Sequence, residues 1–327
     1  MTRGMTAALA MLLAATTVDA DPGPLRFGGK PPAPVLNIAH RGARAYAPEN
    51  TVEAVEKAVS FGAHMVEIDV HLTRDGEVVV LHDDTLDRCS NVRSKFSQRK
   101  STFVSDFTLA EIQELDAGSW YVDELKKPAA KRQGFLRSLT DDERRQFITD
   151  AELAHYASGK VQHPTLRAVL EAAKKHKLLV NIEIKALPRL YPEIADKVVK
   201  LVNELKMERE VIVSSFDHVQ LARVRELSTS IATGVLSSDR LHDPARYCRQ
   251  QLDADAYNPG CYGDSDSLGF NSTTGKLTTD EIQKARKAGV SVNVWTENDP
   301  KRLRALIDAG VSGIFTDYPN RLRDVLK

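Results

Sequence analysis

Apolar runs of strand length recur along the chain at residues 35–39, 65–69, 78–82, 178–184, 211–214, 231–236, 254–257, 291–295 and 313–316. Most are apolar on both faces, the pattern of strands buried within a parallel sheet rather than half-exposed in an antiparallel one. Between them, helical spacing of apolar residues covers 51–61, 165–176, 191–205, 217–227, 279–288 and 300–309. The boundaries carry matching signals: Asn50 and Thr278 stand at N-cap positions, and Gly62, Gly289 and Gly310 follow helix ends. Strand alternating with helix predicts an α/β fold with a parallel sheet, and a chain of 327 residues suits a single TIM (β/α)8 barrel with insertions. Nine strand runs are one more than a barrel closes with, so one of them is an extended connection outside the ring, and 254–257 is the weakest of the set.

Two segments depart from the regular repeat. Only His71-Leu72-Thr73-Arg74-Asp75-Gly76 separates the second and third runs, too short for a helix; if both runs are parallel, it must cross back extended. After the third strand, residues 84–163 form a long insertion with a basic run at 93–100 and a polar stretch at 125–159. An insertion leaving the C-terminal end of a barrel strand is expected over the site's mouth, as a lid or small domain.

Four strand runs end in polar or charged residues: His40-Arg41-Gly42, Glu67-Ile68-Asp69, Leu81-His82-Asp83 and Glu183-Ile184-Lys185. Side chains two apart on a strand share a face, so Glu67 projects with Asp69 and Glu183 with Lys185. Ionisable groups ending buried strands are costly unless they pair, bind metal or react. Glu67, Asp69 and Glu183 offer hard oxygen ligands suited to Ca²⁺ or Mg²⁺; equally, Glu67 could pair with Lys185 or Arg41 in a structural ion network. His40 and His82 are the histidines that end strands, placed to act as general acid and base. Arg41 and Lys185 would grip an anion by charge-assisted hydrogen bonds. Trp295, ending another strand, and Asn258 are candidate substrate contacts, although a tryptophan there also suits core packing. No Gly-x-Ser-x-Gly elbow, P-loop or dinucleotide glycine fingerprint supports a serine hydrolase, nucleotide hydrolase or dehydrogenase.

Charge narrows the partners. Lysine plus arginine equals aspartate plus glutamate at 45 each, so no global field recruits nucleic acid or an anionic membrane, and anion attraction must be local. The N-terminus reads as a signal peptide over residues 1–20, with cleavage after Ala20 and a Pro/Gly-rich leader at 21–34. Its apolar run is too short to span a bilayer, which implies a periplasmic or secreted protein with no stable membrane anchor. In an oxidising compartment Cys248 and Cys261 could close a short loop or all three thiols could stay free; Cys89 is the third.

The motifs Ile38-Ala39-His40-Arg41-Gly42, Ala47-Pro48-Glu49-Asn50-Thr51, Val66-Glu67-Ile68-Asp69-Val70, Val80-Leu81-His82-Asp83, Ile182-Glu183-Ile184-Lys185, Ser215-Phe216, Trp295-Thr296 and Phe315-Thr316-Asp317-Tyr318-Pro319 run in order from about residue 35 to 320. Together they resemble the glycerophosphodiester phosphodiesterase family. The resemblance implies a TIM-barrel domain over 35–327 and hydrolysis of small-molecule glycerophosphodiesters to sn-glycerol 3-phosphate and an alcohol. It further implies a divalent metal, Ca²⁺ or Mg²⁺, on Glu67, Asp69 and Glu183, acid/base histidines at His40 and His82, and phosphate contacts at Arg41 and Lys185. The insertion, including residues 107–112, looks like the one characteristic of the family. Two rival functions use the same residues: phospholipase D-like hydrolysis of lysophospholipids, and exported binding of phosphodiesters without turnover. Binding alone would not require both an acid and a base.

Overall fold

The computed structural model describes residues 35–185, 188–239, 241–260 and 279–327. The proposed signal peptide and leader, Cys261 and the expected cap Thr278 lie outside the described residues. The described residues form nine strands: β1 (Leu36–Ala39), β2 (Met65–Leu72), β3 (Val78–Val80), β4 (Leu179–Ile184), β5 (Val211–Ser215), β6 (Ala232–Ser237), β7 (Ala256–Pro259), β8 (Ser291–Val294) and β9 (Gly313–Thr316). Eight of them pair in parallel in the order β1-β9-β8-β7-β6-β5-β4-β2, and a β1–β2 pairing closes the ring. The fold is a TIM barrel with one additional strand.

The strand outside the ring is β3, not the 254–257 run, whose counterpart β7 is a full barrel member paired to β6 and β8. Nor is β3 parallel: it runs antiparallel to β2, with Val70, His71 and Leu72 opposite Val80, Val79 and Val78. The physical cause is the length of β2, whose pairing with β4 ends at Val70 opposite Ile184 while the strand itself continues to Leu72. The overhang turns tightly at Thr73–Glu77, where Gly76 has φ 78°, and β3 descends again to the barrel rim.

Alternation along the strands separates two cores. Val66, Ile68, Val180, Ile182, Val211 and Val213 face outward and pack with the surrounding helices. Ile38, Met65, Ile212, Ala232, Ala256 and Phe315 fill the barrel interior. By the period of two, Glu67 and Asp69 share the interior parity of Met65, and His40 that of Ile38. An apolar plug therefore lies beneath the charged strand ends.

The first helix, Val52–Ser60, buries Ala54, Val55 and Ala58, and its N-cap is Thr51, whose side chain accepts from the Ala54 N–H. Such a cap is worth about 1 kcal/mol. Asn50, the cap expected from the sequence, instead adopts φ 59° and turns its side chain into the site. Arg41 and Gly42, at φ 53° and 77°, bend the loop after β1 so that it runs against this helix.

The insertion is a string of short helices with two apolar clusters. One gathers Leu86, Val92, Val104, Phe107 and Ile112 beneath β3 residue Val79. The other joins Tyr121, Leu125, Leu136 and Tyr156 to Ala43, Tyr46, Ala54 and Tyr318 of the barrel side. The Tyr121 hydroxyl donates to the Ala45 carbonyl at 2.7 Å, and the Tyr318 hydroxyl to that of Phe135 at 2.6 Å. The segment thus shares its core with the barrel, and it reaches the mouth through Gly134 and Phe135.

Gly42 is the tightest point of the β1 loop, because an added Cβ would lie 2.6 Å from the Ala54 Cβ and 2.7 Å from its carbonyl carbon. Gly42→Ala combines that overlap with a left-handed backbone and should cost about 3 kcal/mol. A urea titration checks this; an unchanged midpoint would mean the loop can relax freely.

Candidate active site

His40 follows β1, whose Ala39 is in register with Thr316, so its ring comes beside Asp317 at the end of β9. Its Nδ1 lies 2.8 Å from Asp317 Oδ1, and its Nε2 lies 3.8 Å from Glu67 Oε2. Asp317 also accepts from Arg44 Nε and, at 2.6 Å, from Asn298 Nδ2. Burial would raise the Asp317 carboxyl, but Arg44 and His40 outweigh it and hold the group well below the usual carboxylate range. Burial, reinforced by Arg44 and Arg41, lowers His40 to about 3, so the imidazole is neutral with its Nδ1 proton given to Asp317.

His82 arrives by a different route. The descending β3 continues through Leu81, whose N–H donates to the Asp69 carbonyl, and this delivers His82 to the rim. Its Nδ1 is 2.7 Å from Asp83 Oδ1, and Arg88 braces that carboxylate from Nε at 2.7 Å. The His82 carbonyl accepts from His71 Nε2 at 3.1 Å, whose Nδ1 in turn accepts from the Tyr191 hydroxyl at 3.3 Å. Burial, then the Arg41 charge, lowers His82 below the ordinary imidazole value.

Between the imidazoles stand Glu67, Asp69 and Glu183, each at most 8% exposed, with one carboxylate oxygen from each within 4.8 Å of the others. Asn50 Nδ2 donates to Asp69 Oδ2 at 2.8 Å, and the Arg41 backbone N–H donates to Glu67 Oε2 at 2.8 Å. Lys185 Nζ contacts Asp69 Oδ1 at 2.9 Å and also Glu183 Oε1. Arg41 extends to Glu49 at 2.8 Å and to Asp69 at 3.5 Å. The ion network allowed by the sequence is present, but through Asp69 and Glu183; Glu67 makes no ion pair with either Lys185 or Arg41 among the described residues. Burial and the neighbouring Asp69 and Glu183 charges push Glu67 well above its usual value, whereas Lys185, His82 and Arg41 hold Asp69 well below. Glu67 Oε1 is buried without a hydrogen-bond partner. An orphaned oxygen in a crowd of hard, like-charged ligands fits a divalent cation.

These groups open onto a cavity of about 600 Å³ lined by His40, Arg41, His82, Lys185, Phe216 and Trp295. The candidates His40, His82, Glu67, Glu183, Arg41, Lys185 and Trp295 all line it, and Asp69 supports it from below. Asn258 does not line it: only 1% exposed, it accepts from Asn293 through its side chain and from the Trp295 indole through its carbonyl at 2.7 Å. Its place as a substrate contact is therefore corrected to support for Trp295. The sequence motifs include Glu49, Asn50, Asp83 and Asp317, and the crossing segment includes His71, but sequence reasoning gave none of them a role in the site. Asp317 carried a usable signal, since it ends a strand with the same parity as the buried Phe315. Cys89 and Cys248 are not joined to each other, and the proposed Cys248–Cys261 pair involves a residue outside the described ones.

An acidic triad, two imidazoles and two cations thus meet over one cavity at the barrel rim. The model of the glycerophosphoryl diester phosphodiesterase family matches residues 40–321, and the chain belongs to that family. A glycerophosphodiester phosphodiesterase of Caldanaerobacter subterraneus subsp. tengcongensis is 32% identical over 292 residues, 89% of this chain and 98% of that protein. One from Bacillus subtilis is 30% identical over 302 residues, 90% of this chain and 88% of the relative. Among solved structures, the glycerophosphodiester phosphodiesterase of Agrobacterium tumefaciens superposes with a TM-score of 0.62 at 25% identity, covering 88% of this chain and 98% of that one. An Oleispira antarctica phosphodiesterase, solved with its product sn-glycerol 3-phosphate, gives 0.65 at 23% identity, covering 88% and 95%.

Three buried imidazoles respond to acid in the same direction: His40 is lowered to about 3, and His71 and His163 to about 4. A base whose folded value lies below its unfolded one is protonated first in the unfolded chain. Glu67, raised above its unfolded value, acts in the opposite direction, so it is in metal-free Glu67→Gln that stability should fall as pH drops from about 6.5, the unfolded imidazole value, with Asp317 adding to the loss below about pH 4. Urea midpoints at pH 7 and pH 4.5 measure it; equal midpoints would contradict the buried neutral rings.

Proposed function

We propose that this chain hydrolyses glycerophosphodiesters to sn-glycerol 3-phosphate and an alcohol, with His40 and His82 moving the protons. The observation that carries this reading is a matched pair: each imidazole gives its Nδ1 to an aspartate, Asp317 or Asp83, beside one acidic triad. An Nδ1 so occupied leaves Nε2 for chemistry and fixes the ring's orientation.

Arg41 and Lys185 hold the phosphate oxygens by charge-assisted hydrogen bonds. His40 Nε2 takes the proton from the attacking oxygen as the new P–O bond forms. His82, the less strongly lowered of the two imidazoles, is the one to carry a proton, and it gives that proton from Nε2 to the alkoxide as the old P–O bond breaks. Glu67, Asp69 and Glu183 would hold Ca²⁺ or Mg²⁺, which supplies positive charge for the phosphate oxygens when bound. The product complex of the Oleispira relative supports the glycerol 3-phosphate half of the reading. The signal-like residues 1–20 support export, and no helix among the described residues is long and apolar enough to cross a membrane.

Mature protein incubated with glycerophosphocholine or glycerophosphoethanolamine should release glycerol 3-phosphate, lose that activity with chelator and regain it with Ca²⁺ or Mg²⁺. Release that persists in chelator would overturn the metal assignment, and no release with either ion would overturn the activity. Asp317→Asn should lower kcat by about 10²-fold with a smaller change in KM, as expected for a group acting through His40. An unchanged kcat would remove Asp317 from the mechanism.

A further inference from the structure

A second cavity of about 450 Å³ adjoins the first and shares His82, Glu183, Lys185 and Phe216 with it. Its remaining wall differs in charge. Asp83, Asp84 and Asp217 line it, with Thr85 and Ser238 as neutral neighbours. Arg88 and His82 balance Asp83. Asp217 is engaged by the Val219 N–H and by Gln220 Nε2, neither of them a cation. Asp84 has no ion-pair partner among the described residues, and the Lys185 ammonium is turned toward Asp69 and Glu183.

The two cavities thus suit different halves of a phosphodiester. A wall whose Asp84 and Asp217 carboxylates pair with no cation among the described residues repels phosphate and favours a cation. Phe216, 43% exposed and shared by both cavities, adds an aromatic ring of the kind that attracts ammonium groups. His82 borders the acidic cavity and His40 does not, so an alcohol seated there leaves beside His82.

We infer that this second cavity receives the leaving alcohol and selects one bearing an ammonium group, primary or quaternary, with Asp84 as the selecting residue. The inference rests on the phosphodiesterase reading and adds to it the charge class of the alcohol. Ethanolamine and choline carry the required cation one short linker from the ester oxygen; glycerol supplies the neutral comparison.

The experiment compares kcat/KM for glycerophosphoethanolamine, glycerophosphocholine and neutral glycerophosphoglycerol in the metal-loaded full chain. At low salt the wild-type protein should favour the cationic pair by about fivefold, the scale of one solvent-exposed charge pair, and added salt should shrink the preference. Asp84→Asn and Asp84→Ser should both bring the ratio toward one, and Asp84→Lys should invert it; thermal midpoints close to wild type confirm that the variants fold. Wild-type ratios near one, or ratios unmoved by all three substitutions, overturn the inference while leaving the phosphodiesterase reading intact. No cleavage of any of the three diesters overturns both.

Discussion

Burying three carboxylates at one end of a barrel is the constraint around which the rest of this structure is arranged. Glu67, Asp69 and Glu183 come from β2 and β4, adjacent parallel strands whose register sets Asp69 opposite Glu183. Their mutual repulsion in a low-dielectric interior would be prohibitive alone. The β1 loop answers part of it: its left-handed Arg41 and Asn50 turn a backbone N–H onto Glu67 and an amide onto Asp69. Lys185, two residues beyond Glu183 on the same face, answers another part. The remaining deficit is what makes the cluster receptive to a divalent ion.

The same constraint explains the odd strand. A regular βα repeat would carry the chain away from the rim after β2, with a helix on the outside. The overhanging β2–β3 hairpin instead returns the chain to the rim, so that His82, like His40, lines the cavity. Both imidazoles are then fixed by the same device, an aspartate on Nδ1, although Asp317 comes from the far end of the chain and Asp83 from the next residue. The insertion contributes rigidity to this arrangement, since its aromatic cluster includes Tyr46 and Tyr318 of the barrel's own loops.

Much of this was legible in the sequence. All nine apolar runs are strands, and the charged strand ends meet at one rim, because period-two alternation and buried apolar runs are direct consequences of strand geometry. Strand direction was not legible: the Val78–Val80 run reads the same whether parallel or antiparallel, and only the two residues of β2 that extend past β4 and pair with β3 decide it. Asn50 was misread as a cap because the chemistry that suits an N-cap, a short polar side chain, also suits a tight left-handed turn. Asn258 misled for a similar reason, since a polar strand end beneath the cavity floor carries the same pattern as one lining it. Asp317 reaches His40 across almost the whole chain, a contact that spacing does not encode, whereas Asp83 adjoins His82 and its role depends on the side-chain geometry of neighbouring residues.

The central claim is that His40 and His82 both move protons at one phosphodiester. Single-turnover release of glycerol 3-phosphate by His40→Ala and by His82→Ala, in protein that still binds the product, measures it most directly. The account predicts that each substitution slows the chemical step by at least about 10²-fold while product affinity stays within a few fold. Near wild-type release by either folded variant would contradict it.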